Sequence, residues 1–264
     1  MRSPVLCLIA LDWQPASGRL RVLANRDEFY ARPTAAAGWW TAQPGLWAGR
    51  DLQAGGTWLG ITLRGRFAAL TNFREGASQA GKRSRGELVT GFLTGEQSPA
   101  GYLQQVLARG EDYAGFNLLV GDLLSSELYY GGNRPGGEPR LLQAGLYGLS
   151  NGLLNTPWPK TVRLKRGLTT LPSDNDGAAL ALLSDATMAP DSALPETGVP
   201  LELERRLSSV FITGDDYGTR AQTVLVVENG HVRILEQGRG PQGSLLGIQQ
   251  AEWQLREREC VVHD

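Results

Sequence analysis

The sequence predicts an α+β fold in which antiparallel sheets stack on one another with helices outside, in one domain spanning residues 1–264. Three observations carry this. Short apolar runs are separated by turns that hold most of the 34 glycines, as in a hairpin-rich sheet protein. The elements come in blocks (strands, two helices, strands, two helices, strands) rather than as repeating βαβ units. No internal repeat or linker composition divides the chain.

The elements follow in order. Val5–Leu11 and Arg19–Ala24 are apolar runs joined by Gln14-Pro-Ala-Ser-Gly18, an opening hairpin. Thr57–Leu63 and Arg66–Thr71 flank Arg64-Gly65 as a second hairpin, rich in the aromatic and β-branched residues that suit a pleated surface. Ser84-Arg-Gly-Glu87 has capping-box spacing ahead of Leu88, Val89, Phe92 and Leu93, so a helix follows. Ser98-Pro99 opens another, ending at Gly110. Phe116–Val120 and Glu127–Tyr130 are strands. Thr156-Pro157 starts a helix over Trp158–Thr169, and Ala178–Leu183 is a short apolar helix. Met188–Val199, rich in proline and serine, reads as a surface excursion, and Val210–Thr213 as a strand. Thr223–Val227 and His231–Leu235 flank Asn229-Gly230, the favoured two-residue hairpin turn. Glu252–Arg258 reads as a late strand.

Composition excludes several functions. A net charge of −1 gives no electrostatic case for nucleic acid or an anionic membrane. No apolar run approaches the ~20 residues that span a bilayer, so stable membrane insertion is not expected. The basic-then-apolar opening resembles a weak signal peptide, but its apolar stretch stops at Asp12 and continues into the hairpin, which reads as a first strand. Cys7 and Cys260 are too few for a disulfide framework and fit a reducing, cytoplasmic setting. His231 and His263 lack metal-ligand spacing, so neither a metal site nor a Ser-His-Asp triad is expected. No phosphate-cradling glycine loop points to a nucleotide cofactor. The expected partner is a small molecule.

Chemistry concentrates in Leu23–Thr34. Asn25, Arg26, Asp27, Glu28 and Arg32 follow an apolar strand directly, and so dense a cluster at a sheet rim suits binding or orienting a ligand. Cys7, near the start of the first strand, carries the side chain most nucleophilic near neutral pH once its proton is drawn off; otherwise it is a small buried hydrophobe. Asp27 and Arg26 can equally form a structural ion pair. In Gly55-Gly-Thr-Trp-Leu-Gly60 the glycines allow close backbone approach, and Trp58 either walls a pocket or packs in the core. Leu70-Thr-Asn72-Phe73 and Gly148-Leu-Ser-Asn151-Gly152 each close an apolar strand with an asparagine, as a turn residue or as a hydrogen-bond donor. Arg220 is either a solvated arginine at a strand entrance or a group that lowers a thiol pKa or grips a carboxylate.

The block Asn25-Arg-Asp-Glu-Phe-Tyr-x-Arg-Pro33 resembles the signature of the NRDE family, the Transport and Golgi organization type proteins. That family is similar to the N-terminal-nucleophile (Ntn) hydrolases, including choloylglycine hydrolase and penicillin V acylase. Gly55–Gly60 resembles the family's second signature. Ser84–Glu87 and Thr156-Pro-Trp-Pro-Lys160 are also family-like, although helix capping accounts for them. The resemblance runs from Cys7 to the last strand and implies a four-layer αββα sandwich. It implies that Cys7 is the nucleophile, with its own freed α-amino group as base, and that Asp27 contacts that amine or thiol. It places Asn72 and Asn151 at the oxyanion and Arg220 near the nucleophile. The relatives carry Arg-Asn-x-Asp at this point, whereas the arginine position here is Ala24. Six residues precede Cys7, so either Met1–Leu6 is removed, or the true start lies elsewhere, or this chemistry does not occur.

Two functions are implied. One is a hydrolase or acyl transferase acting on linear amide or thioester bonds. The other is a non-enzymatic protein that binds or traffics haem, acyl-CoA or lipid on a retired hydrolase scaffold. In that case Asn25, Arg26, Glu28, Arg32, Trp58 and Phe73 line the cleft, and Arg26, Arg32 and Arg220 meet the ligand's acidic groups. No cofactor is implied beyond haem as a transported ligand.

Overall fold

The structure is a computed structural model describing residues 6–74 and 81–256. β1 (Leu6–Gln14) and β2 (Arg19–Phe29) form the opening hairpin, turned at Gly18 with φ +60°. β2 does not end at Ala24. It carries the Asn25–Glu28 tetrad inside the sheet, because β1 pairs along one side and β11 (Tyr217–Glu228) along the other. Two flanking ladders hold polar residues of low strand propensity in extended backbone. The tetrad is therefore buried rather than set at a rim.

Two antiparallel sheets result. The first has the order β10-β1-β2-β11-β12-β13, with β10 at Gly145–Leu149, β12 at His231–Arg239 and β13 at Leu245–Gln254. The second runs β3 to β9 in sequence order: Thr34–Trp39, Leu46–Asp51, Leu59–Thr62, Arg66–Asn72, Phe116–Asp122, Glu127–Gly132 and Arg140–Leu141. Five α-helices lie among the described residues: α1 Gly86–Thr94, α2 Pro99–Leu107, α3 Pro159–Thr170, α4 Asp176–Leu183 and α5 Leu201–Leu207.

Alternation along the strands sorts their side chains into layers. Ile9, Leu11 and Trp13 face Phe67, Ala69 and Leu119 between the sheets. Leu8, Ala10 and Leu23 face Leu164, Leu168, Ala179 and Leu183 on α3 and α4. Ala68, Leu118 and Val120 face Val89, Phe92 and Leu103 on α1 and α2. The expected αββα order is the one observed.

Several elements differ from expectation. Ser84 and Glu87 form no capping box: the N-cap of α1 is Arg85, whose side chain donates to Gly115 O rather than capping the helix, and Glu87 binds the Tyr113 hydroxyl and Arg83. The start of α1 lies tight against Gly56, where a Cβ would come within 2.5 Å of the Gly86 backbone. Ser98 does cap α2, accepting from the Gly101 N–H. Val210–Thr213 is not a strand; Asn25 donates to Val210 O, and Ile212 exchanges bonds with Thr219. β3, β4 and α5 were not expected, and the late strand starts at Leu245 rather than Glu252. Met1–Val5, residues 257–258, Cys260 and His263 lie outside the described residues. No described helix is long and apolar enough to cross a membrane.

Candidate active site

The β1–β2 register sets Cys7 opposite Arg26 and Leu6 opposite Asp27. Cys7 and Arg26 therefore share the inter-sheet face of Ile9 and Ala24, while Asn25 and Asp27 share the helix-side face of Leu8. Cys7 is 3% exposed. Burial first, and then the Asp27 charge, pushes its thiol up to about 12 against the opposing pull of Arg26. In this state the thiol stays protonated at neutral pH.

Asp27 is 1% exposed. Its Oδ1 accepts from the Thr219 hydroxyl at 2.7 Å, while Oδ2 is buried without a hydrogen-bond partner among the described residues. Burial raises this carboxyl to about 6, although Lys160, Thr219, Arg26 and Arg74 all pull it down. Lys160, in the first turn of α3, is also 1% exposed, and its Nζ has no hydrogen-bond partner. Burial lowers it to about 8, against the attraction of Asp27. Holding a partnerless carboxylate oxygen and ammonium away from water is costly. Groups perturbed in this way gather at functional sites.

No motif in the sequence singles out Lys160 as a functional residue. Helix capping does not explain Thr156–Lys160, because the N-cap of α3 is Trp158 and has no side-chain bond. The available signal was periodicity. Lys160, Leu164 and Leu168 recur every four residues, which puts the lysine on the buried stripe of the helix.

The structure brings Asn72 and Asn151 together. Asn151 Nδ2 donates to Asn72 O at 2.9 Å, and Asn151 O accepts from the Arg74 N–H at 2.7 Å. Ser150 Oγ lies 2.9 Å from Cys7 O and 3.0 Å from Asn151 Oδ1, tying this seam to the cysteine strand. Thr71 donates to Ser150 O, and Asn117 Nδ2 donates to Thr71 Oγ1 and Gly152 O. Phe73 is half-buried just beyond, its N–H on Gly115 O.

The other candidates are bound into the fold. Arg26 sits 3.3 Å from Glu28 and 3.9 Å from Asp51, and Arg32 sits 2.7 Å from Asp51. Arg220 occupies a β-bulge between Thr219 and Ala221, a feature that re-aims a side chain. It donates to Phe29 O at 3.1 Å and Arg32 O at 2.5 Å. Asn25 donates to Leu183 O and Val210 O, both at 2.8 Å. Trp58 is half-buried against the inter-sheet core. No group of acidic, histidine or cysteine side chains that could hold a metal occurs among the described residues.

The sequence profile of the family described as Transport and Golgi organisation 2 matches residues 6–240. The chain belongs to this family. The Transport and Golgi organization protein 2 homolog of Bos taurus is 37% identical over 278 residues, covering 96% of this chain and 98% of that protein. The Homo sapiens homolog is 35% identical over 280 residues, covering 97% and 99%. Among solved structures, this member of the Transport and Golgi organisation 2 family is similar to a mutant of conjugated bile acid hydrolase from Clostridium perfringens (TM-score 0.45, 8% identity, covering 93% of this chain and 92% of that chain). It is also similar to a Caenorhabditis elegans ortholog of N-acylethanolamine-hydrolyzing acid amidase (TM-score 0.44, 12% identity, covering 83% and 92%).

Proposed function

We propose that this chain is a cysteine-nucleophile hydrolase or acyl transferase for linear amides or thioesters, latent while Cys7 remains in peptide linkage. The observation that carries the reading is the buried Asp27 carboxylate, across the β1–β2 ladder from the Leu6–Cys7 peptide, with one oxygen lacking a hydrogen-bond partner among the described residues. Cleavage of the Leu6–Cys7 bond turns the Cys7 peptide nitrogen into a primary amine. Such an amine has an ordinary pKa of about 8, well suited to take a proton near neutral pH. Asp27 Oδ2 is the acceptor that holds it.

The steps then follow. The amine takes the thiol proton, and the thiolate attacks the substrate carbonyl. Donors at the Asn72 and Asn151 strand ends stabilise the oxyanion, each worth about 3–4 kcal/mol. The ammonium returns the proton to the leaving amine or thiol, and water or an acyl acceptor releases the acyl group. Loss of Leu6 also vacates a fully buried apolar space among Leu207, Ile212 and Tyr217, a place for an acyl chain.

The binding reading has less support. It needs Arg26, Arg32 and Arg220 for an acidic ligand, and they are engaged by Glu28, Asp51 and backbone carbonyls. The test is the intact mass of protein from its native host, followed by an amide and thioester panel. The expected mass lacks Met1–Leu6, with turnover that Cys7→Ala abolishes. A full-length mass with no turnover overturns the proposal.

A further inference from the structure

We infer that Arg74, Lys160 and Trp158 form a carboxylate-binding subsite beside Cys7, which makes the substrates amides or thioesters that carry a small carboxylate near the scissile carbonyl. The substrate class rests on the hydrolase reading, whereas the anion site itself does not.

Arg74 is 7% exposed and lies over the Trp158 ring, 4.8 Å from its centroid. Its Nη1 donates to Glu204 at 2.8 Å, while Nε and Nη2 are buried without hydrogen-bond partners. Those two atoms form one edge of the guanidinium, the edge that grips a carboxylate through two parallel bonds. Lys160 Nζ and Thr161 Oγ1 also lack partners. Arg74, Trp158 and Lys160 line a single pocket, closed on its other side by Pro195, Glu204 and Leu207. That pocket is small, with room for about one water molecule, so a carboxylate enters only as the side chains lining it shift apart. The Glu204 carboxylate already occupies one arginine donor, which shows the chemistry the site accepts.

The unpartnered donors carry the site in the full chain, and charge balance would strengthen it further once Cys7 is freed. With Cys7 freed, three cations (its ammonium, Lys160 and Arg74) face two anions, Asp27 and Glu204. Asp27 turns to the ammonium, and Lys160 is left without a counter-charge. One carboxylate restores neutrality in a site that excludes water.

The test is thermal melting of the full chain in sodium acetate, against sodium chloride and sodium phosphate at matched ionic strength. A ligand that binds only the folded state raises the melting temperature with its concentration. The expected result is a rise in acetate beyond both other salts, lost in Lys160→Met and kept in Cys7→Ala. Each variant's rise in acetate is read against its own melting temperature in chloride, and Lys160→Gln repeats the test if Lys160→Met folds poorly, so a change in baseline stability does not obscure the readout. Arg74→Lys keeps the charge but loses the fork, and should weaken acetate binding at least tenfold. An equal acetate effect in Lys160→Met, or equal effects of the three salts, overturns the subsite. If a chain beginning at Cys7 hydrolyses neutral and carboxylate-bearing thioesters equally, the subsite falls and the hydrolase reading stands. If acetate binds but that chain turns nothing over, the hydrolase reading falls and the anion site stands.

Discussion

Asp27 and Lys160 carry opposite charges that burial drives toward neutrality, and this fixes how stability should follow pH. The folded Asp27 titrates near 6 rather than its ordinary 3.8, so between those values the folded protein holds a proton the unfolded chain has released. Its contribution favours folding at low pH and is lost as pH rises through 6. The folded Lys160 titrates near 8 rather than 10.5, so the cost of burying its charge is present below 8 and gone by about 10.5. The two contributions are jointly least favourable between pH 6 and 8. The double variant Asp27→Asn/Lys160→Met should therefore exceed wild type in melting temperature most at pH 6–8, with the gain shrinking toward pH 4 and pH 10.5. A gain that does not vary with pH would show that these groups are not the titrating pair. At this scale charge density and strand-end placement single out Cys7, Asp27, Asn72 and Asn151 as candidates, and the structure buries all four. Lys160 was obscured because a Thr-Pro pair before a helix looks like capping, although its spacing from Leu164 and Leu168 already placed it inside.

At the scale of elements, β2 and α5 decide what the site can hold. β2 keeps the tetrad in the sheet, so alternation sends Arg26 and Glu28 to one face and Asn25 and Asp27 to the other. That split sets the Cys7 side chain on the face of the paired arginines and the Asp27 carboxylate on the helix-side face, with Lys160. α5 brings Glu204 to Arg74 as a fully buried ion pair. Removing one partner of such a pair strands the other, at a cost of about 3–5 kcal/mol. Glu204→Ala should lose that much in urea unfolding, and Arg74→Met/Glu204→Leu should recover most of it. If Glu204→Ala unfolds like wild type, α5 does not anchor the site. The hairpin at Asn229-Gly230 was readable because both turn residues need positive φ, observed at +52° and +73°. α5 was not, since its seven residues are held by this tertiary pair rather than by an apolar stripe long enough to read.

For the whole molecule, the fold class was legible because glycine-punctuated apolar runs leave few other arrangements. The position of the site was not, because it lies on a seam between the sheets. Thr71 and Ser150 meet across 79 residues of chain, and Asn25 reaches Val210 across 185. Polar bonds of that range follow from sheet order, which no local pattern encodes. The seam brings β1, β2, β6, β11 and α3 together, so a cysteine, a carboxylate, two asparagines and a lysine lie within a buried core.

The most direct measurement is the rate at which a chain beginning at Cys7 cleaves a carboxylate-bearing thioester, followed beside the full-length chain and the Cys7→Ala variant. Turnover is expected from the freed chain alone, abolished with the thiol. A folded chain with a free Cys7 amine and no turnover, or turnover that survives Cys7→Ala, would contradict it.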